Sequence, residues 1–323
     1  MRQQFSAVLS LRKFLKFNVK TIYLFVCNYN VIILVWATIG TLCAKRSQQR
    51  STIPSYNASR EGSSIDTSST GISGILAHAS LYSVDTIKGF LLSTIWVFTV
   101  ALNFSISNQR QPASVHEDKL NKPWRPIPSQ RITPSQASTL LINTSTFGLL
   151  FSSVFGGLGP YLIQLAASYH YNDLGGAHGH HVVRDVLNAI GMTSWLYGCI
   201  EVAGGPTVRY SNSDASTALT LIAAVTTTIA IQDFRDIYGD RKCGRATLPI
   251  VVGHGTARVI LATSIVLWSF GIAIVSKLGL VSATTGLGTL IALRLLVLRN
   301  RSADKITMEF WYGWFATISL ALL

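Results

Sequence analysis

"STALTLIAAVTTTIAIQDFRDIYGDRKCGRATLPIVVG" (residues 216–253) decides the fold. No charge falls between Asp214 and Asp233. Three aspartates then follow, Asp233, Asp236 and Asp240, with Arg235, Arg241, Lys242 and Arg245 among and after them. An uncharged apolar run of this length is what a membrane-crossing helix requires, about 20 residues. The stretch therefore reads as a membrane helix whose end carries carboxylates and cations side by side.

The rest of the chain agrees. Of 323 residues, 49% are hydrophobic and 13% charged, with mean hydropathy +0.37. Soluble domains carry about 25% charged residues, so the composition points to a polytopic membrane protein. The net charge is +13. Because the basic residues cluster between apolar runs, they point to a cytosolic membrane face and an anionic substrate, and away from nucleic acid. Cys27, Cys43, Cys199 and Cys243 lack metal or redox spacing and read as free thiols.

We expect an all-α bundle of about nine transmembrane helices. The candidates are Thr21–Cys43, Gly89–Ser107, Ala137–Phe155, Leu158–Tyr169, Val186–Ala203, Ala215–Gln232, Ala257–Ser276, Leu280–Leu298 and Met308–Leu323. Residues 1–20 read as a basic cytosolic flank, with a mitochondrial presequence as the competing reading. Residues 21–43 form the first span. Residues 44–84 are Ser/Thr-rich and read as a disordered loop holding an N-x-S sequon at Asn57. Residues 85–323 form the bundle. With a cytosolic N-terminus, most Lys and Arg fall on the inner side, as the positive-inside rule requires. The same topology gathers Glu117, Asp118, Asp173, Asp233, Asp236 and Asp240 at one membrane face, out of only 14 acidic residues in the chain.

On an α-helix Asp233, Asp236 and Asp240 fall within about 60° of one another. Carboxylates so close need protons or cations between them. Hard oxygen ligands without His or Cys suit Mg²⁺ or Ca²⁺, and neighbouring cations suit phosphate oxygens. A solvated helix end laced with ion pairs would look the same. A second segment changes the balance: "NQRQPASVHEDKLNKPWRPIPSQRIT", Asn108–Thr133, also follows an apolar helix. It offers Glu117 and Asp118, then Lys119, Lys122, Arg125 and Arg131. Pro112 is expected to end the preceding helix. Two acidic loops on one face suggest a repeat in which each half lends a loop to a shared site. "HGHH", His178–His181, reads as Gly-rich loop sequence and not as a metal cluster.

Together "NQR…EDKLNKPWRPIPS" and "QDFRDIYGDRKCGRATLPI" resemble the UbiA superfamily of membrane prenyl-diphosphate enzymes, in particular its fungal branch, from about residue 85 onward. The second family motif, D-x-x-D-x-x-x-D, is complete as Asp233, Asp236 and Asp240. The first, N-D-x-x-D-x-x-x-D before N-R-P-x-P-S-G, keeps Asn108 and the "WRPIPSQ" tail. Gln109, Pro112 and His116 stand at its aspartate positions, and the acids are displaced to Glu117 and Asp118. The loop "YNDLGGAHGHHVVRDVLNAIG" also looks like that branch.

The resemblance implies an isoprenyl diphosphate substrate bound through Mg²⁺. Asp233, Asp236, Asp240, Asn108 and Asp118 are the implied catalytic residues. With Glu117, they are also the implied metal ligands. Lys122, Arg125, Arg131, Arg241 and Lys242 are candidates to hold phosphate oxygens. Trp195, Tyr161, Phe234, Tyr238 and Trp311 are candidates to face an allylic cation. The leading expectation is a prenyltransferase of secondary metabolism acting on a small, aromatic acceptor. The alternative is a UbiA-type terpene cyclase, and the third is a non-enzymatic ion or anion carrier. The membrane is expected to be the endoplasmic reticulum, or second the mitochondrial inner membrane.

Overall fold

The computed structural model describes residues 17–52, 84–205, 208 and 212–323. The basic flank up to residue 16, the sequon at Asn57 and most of the Ser/Thr-rich segment lie outside them. Among the described residues every regular element is helical. Helix α1 runs over residues 17–52, interrupted by a 3-10 turn at Cys27–Tyr29. It extends through residues 44–52, which the sequence reading assigned to a disordered loop. Then come α2 (Val84–Gln109), α3 (Pro112–Asn121), α4 (Pro134–Phe155), α5 (Leu158–Asn172), α6 (His181–Gly204) and α7 (Asn212–Thr226). A 3-10 segment, Ile229–Arg235, continues α7. It is followed by α8 (Ile237–Lys242), α9 (Leu248–Val251), α10 (His254–Val275), α11 (Ala283–Val297) and α12 (Arg301–Leu322).

The nine expected spans all fall in helical sequence, the sixth running from α7 into the 3-10 segment. Five stretches are long and apolar enough to cross a membrane by length and composition: Phe17–Arg46, Val84–Gln109, Pro134–Phe155, Asp214–Arg235 and His254–Val275. The other four are shorter or more polar. Helix α6, for example, carries Arg184, Asp185, Asn188 and Glu201. Polar residues of this kind in a membrane bundle turn inward, and here several of them line a cavity.

Local sequence explains the punctuation. Pro112 does not simply stop α2; α2 ends at Gln109 and Pro112 opens α3, where its missing N–H costs nothing. Glu117 and Asp118 therefore sit on a short helix of their own. Thr133 and Gln136 form a reciprocal cap on α4, with Pro134 in its first turn. Gly156 and Gly157, at φ +101° and +86°, make the tight turn into α5 that other residues adopt only at a steric cost.

Helix α6 packs against α1, α2, α5 and α7, and α12 returns to pack against α1, so the first and last described helices meet. Helix α2 is central and α4 peripheral: 61% of the apolar window of α2 is buried against 11% of that of α4. Close approach depends on small residues, as is usual between membrane helices. A Cβ on Gly198 of α6 would overlap the Trp96 ring of α2, and one on Gly40 of α1 would overlap Cys199. Three of the buried indoles in the core find an acceptor. Trp36 Nε1 donates to Met192 O at 2.9 Å, Trp96 Nε1 to Ser152 Oγ at 2.8 Å and Trp314 Nε1 to Ser269 Oγ at 2.8 Å. The four cysteines are free.

Candidate active site

The decisive stretch is not one continuous helix. Thr227 and Thr228 turn their hydroxyls back onto the carbonyls of Ala223 and Ala224, at 2.9 and 2.6 Å. Such back-bonding bends and weakens a helix. Trp311 Nε1 of α12 donates to Thr228 Oγ1 at 3.1 Å and fixes the break. The chain then tightens into the 3-10 segment, in which residues three apart eclipse one another. Asp233 and Asp236 thus share a side, and one turn of α8 adds Asp240. The common stripe expected from an α-helix survives, produced by different geometry.

All three aspartates line one cavity of about 150 Å³. Asn108 from α2, Glu117 from α3, and Lys122 and Arg125 from the loop after α3 line it too, so the two acidic segments do meet. They dock closely. Gly239, between Asp236 and Asp240, lies against the Asn121 amide, and a Cβ at 239 would overlap it.

Every acid here already has a cation. Asp233 pairs with Arg184, and Asp236 with Lys122 at 3.1 Å and Arg235 at 3.4 Å. Arg245 bridges Glu117 and Asp240, the latter at 3.2 Å. These partners explain why, among the described residues, no three acid, His or Cys groups converge closely enough to hold a metal as they stand. The donor set nevertheless fits a hard divalent cation. It is all oxygen, and the buried Asp233 Oδ2 has no hydrogen-bond partner. Burial pushes the Asp240 carboxyl up to about 7; Arg245 opposes this, while Asp233 and Glu117 add to it. At Asp236 burial also pushes upward, but Lys122 and Arg235 outweigh it and hold the group below the usual carboxylate range.

Other expected site residues lie elsewhere. Asp118 is not among the lining residues: both its oxygens accept from Arg125 Nη1 at 2.8 Å, so it stands behind Arg125. Arg131 turns away to α1, over the Phe17 ring and within reach of Thr21 Oγ1. Arg241 and Lys242 are exposed outside the cavity, with Lys242 over Tyr238. Asp173 pairs with Arg110 and accepts from Gln111 Nε2 at 3.0 Å. Four of the five proposed cation-facing aromatics are also elsewhere. Tyr161 is hydrogen-bonded between helices, Phe234 lies under the Arg258 guanidinium, Tyr238 is exposed and Trp311 is in the core.

Trp195 does line the cavity. With Tyr29 and Phe104 it forms a triangle of rings whose centroids are 6.0 to 6.5 Å apart. Tyr171 and Tyr312 line the same cavity. Sequence reading missed Arg184, Asn188 and Met192 as lining residues. A signal was available: Arg184, Asn188, Gly191, Met192 and Trp195 recur at helical spacing along α6 and form one stripe.

A charged rim above an aromatic chamber, between helices of a membrane bundle, is an arrangement with known relatives. The UbiA prenyltransferase family profile matches residues 69–317. The chain belongs to that family. It is 31% identical over 231 residues to fumagillin beta-trans-bergamotene synthase of Aspergillus fumigatus, covering 71% of this chain and 77% of that one. It is 28% identical to somaliensene A/B synthase of Streptomyces somaliensis, over 76% and 82% of the two chains. A polyprenyl transferase of Hericium erinaceus is 28% identical over 58% and 64%. A solved structure of digeranylgeranylglyceryl phosphate synthase superposes with a TM-score of 0.55 at 19% identity, over 94% of this chain and 98% of that one, and so shares the fold. This UbiA protein is thus a membrane enzyme of prenyl chemistry, transferase or cyclase, which removes the ion-carrier expectation.

Proposed function

We propose that this UbiA-family protein ionises an isoprenyl diphosphate and lets the allylic cation close on its own chain, as a terpene cyclase of an endomembrane. The observation that carries this reading is the triangle of Tyr29, Phe104 and Trp195 beneath the charged rim. Ring faces stabilise a cation, more strongly where water is excluded. The two broadly matching relatives named as synthases point the same way. Transfer to an acceptor, the expectation first drawn from the sequence, becomes the second reading, kept by the likeness to the polyprenyl transferase.

The residues divide the work by position. Lys122, Arg125, Arg184 and Arg245 present cations to the departing diphosphate, as preorganised charge does in other phosphate chemistry. Asp233, Asp236, Asp240, Glu117 and Asn108 are the groups that would hold Mg²⁺. When bound, the metal neutralises charge as the diphosphate leaves. Met192, Ile32 and Met308 line the same cavity and give the prenyl tail an apolar surface. Asp118 holds Arg125.

The test is incubation of the detergent-purified protein with Mg²⁺ and geranyl, farnesyl or geranylgeranyl diphosphate, with and without phenolic acceptors. A volatile terpene formed without acceptor supports cyclisation. Product only with acceptor replaces it by transfer, and no diphosphate release from any substrate overturns both. Folded Asp236→Ala protein is expected to lose turnover, and wild-type turnover in it refutes the site.

A further inference from the structure

A second cavity, of about 170 Å³, lies between α2, α4 and α5. It shares Phe104, Gln164 and Ser168 with the first, so these residues form part of the wall between the two. Its lining differs in kind. The charges are Arg110 and Asp173, which are paired with each other. The remaining polar lining is neutral: Asn103, Ser107, Ser145, Tyr161, Gln164 and Ser168 with one exposed tyrosine.

Two of these groups are unsatisfied. The single proton of the Tyr161 hydroxyl goes to Ser145 O at 2.9 Å, so its oxygen is free to accept from Asn103 Nδ2 at 2.8 Å. That fixes the Asn103 amide and leaves its Oδ1 buried without a donor. Gln164 Oε1 is likewise buried without a partner. Both residues are only 4% exposed. Gln164 Oε1 sits on the wall shared by the two cavities: a Cβ on Gly191, which lines the first, would stand 2.9 Å from it. A buried carbonyl oxygen without a donor is unfavourable and calls for one. Two such acceptors repel an anion and suit a neutral O–H. The space exceeds the roughly 30 Å³ share of a single water, so it admits an organic molecule.

We propose that this annex binds a small neutral hydroxyl compound, an alcohol or phenol, whose O–H donates to Gln164 or Asn103. Its role, though not its binding, rests on the proposed function: a hydroxyl held at Gln164 stands on the wall of the chamber in which the prenyl cation forms. The annex is then the place where an acceptor waits or an alcohol product lodges, and a cyclase that fills it is open to oxygenated products.

The test is binding without turnover, so its failure is distinguishable from failure of the prenyl reading. The full-length protein in detergent is titrated with 4-fluorophenol and with 4-fluoroanisole, which has the same ring without the donor, and followed by fluorine NMR. Saturable binding of the phenol alone is expected. Gln164→Leu, which takes away an acceptor for the O–H, and Ser107→Leu, which fills the annex away from the Asn103–Tyr161 bond, are each expected to weaken it at least about tenfold. Pyrophosphate binding with Mg²⁺ serves as the check that a variant keeps its rim. Equal binding of phenol and anisole, or saturable binding of neither by the wild type, overturns the proposal. So does a response to Na⁺ or K⁺ in place of the phenol, which would make the annex a cation site.

Discussion

Asp118 separates two roles that sequence cannot. As a metal ligand it would act on Mg²⁺; as the holder of Arg125 it would act on the diphosphate. The structure sets it against Arg125 and outside the cavity lining, which favours the second role. It is 1% exposed, and both its oxygens accept from Arg125 Nη1 at 2.8 Å. Asp118→Asn keeps the shape and one acceptor but removes the charge. Hydrogen bonds to charged groups contribute about 1.5–3 kcal/mol, and 1.4 kcal/mol is about a tenfold change. With Arg125 loosened, KM for the prenyl diphosphate should rise about 10- to 100-fold, while the Mg²⁺ concentration for half-maximal rate stays put. Steady-state kinetics varying diphosphate and Mg²⁺ independently reads both. A cycle with Arg125→Gln adds a second readout: if the pair acts as a unit, the double variant is no worse than Arg125→Gln alone. A shift in Mg²⁺ dependence with unchanged KM, or fully additive losses, refutes this reasoning.

Asp240 carries a pH dependence. Its carboxyl is pushed up to about 7, so its contribution to metal-free stability is fully present below the unfolded value near 4 and is lost as pH rises towards 7. Metal binding runs the other way, because a ligand must lose its proton. Stabilisation by added Mg²⁺ in thermal unfolding is expected to be larger at pH 8 than at pH 6, with the difference reduced in Asp240→Asn. Gly198→Ala places a methyl group into the Trp96 ring and should cost on the order of 1–3 kcal/mol; an unchanged melting temperature would contradict the tight α2–α6 crossing. Arg131→Ala touches only α1, so KM for the diphosphate should stay within about twofold, as for other peripheral ion contacts.

The spans and the aspartate motif were legible because both depend on local periodicity. Apolar length marks a membrane helix in any context, and the 3-and-4 spacing of Asp233, Asp236 and Asp240 shares a side on an α-helix and nearly so in a 3-10 turn. The cations were not legible in the same way. Arg131 sits six residues after Arg125 in "RPIPSQR", yet the turn there swings it to Phe17 of α1, a contact across the chain. Arg184 stands in the sequence just ahead of the span expected at Val186–Ala203. Its pairing with Asp233 requires knowing that α6 runs beside the 3-10 segment. Aromatics were hardest, since Tyr29 comes from the 3-10 interruption of α1, which no local signal marked.

The contact of Gly239 with Asn121 has a consequence for biogenesis. The two segments that meet there leave the ribosome far apart in time, with α4 to α7 made between them. Contacts between distant segments form only after the intervening chain is in place. Until then Glu117 lacks Arg245 and Lys122 lacks Asp236. The half-built protein therefore displays bare charge at the membrane face, which closure of the bundle neutralises. These pairs therefore cannot close before α8 and the residues up to Arg245 have been made.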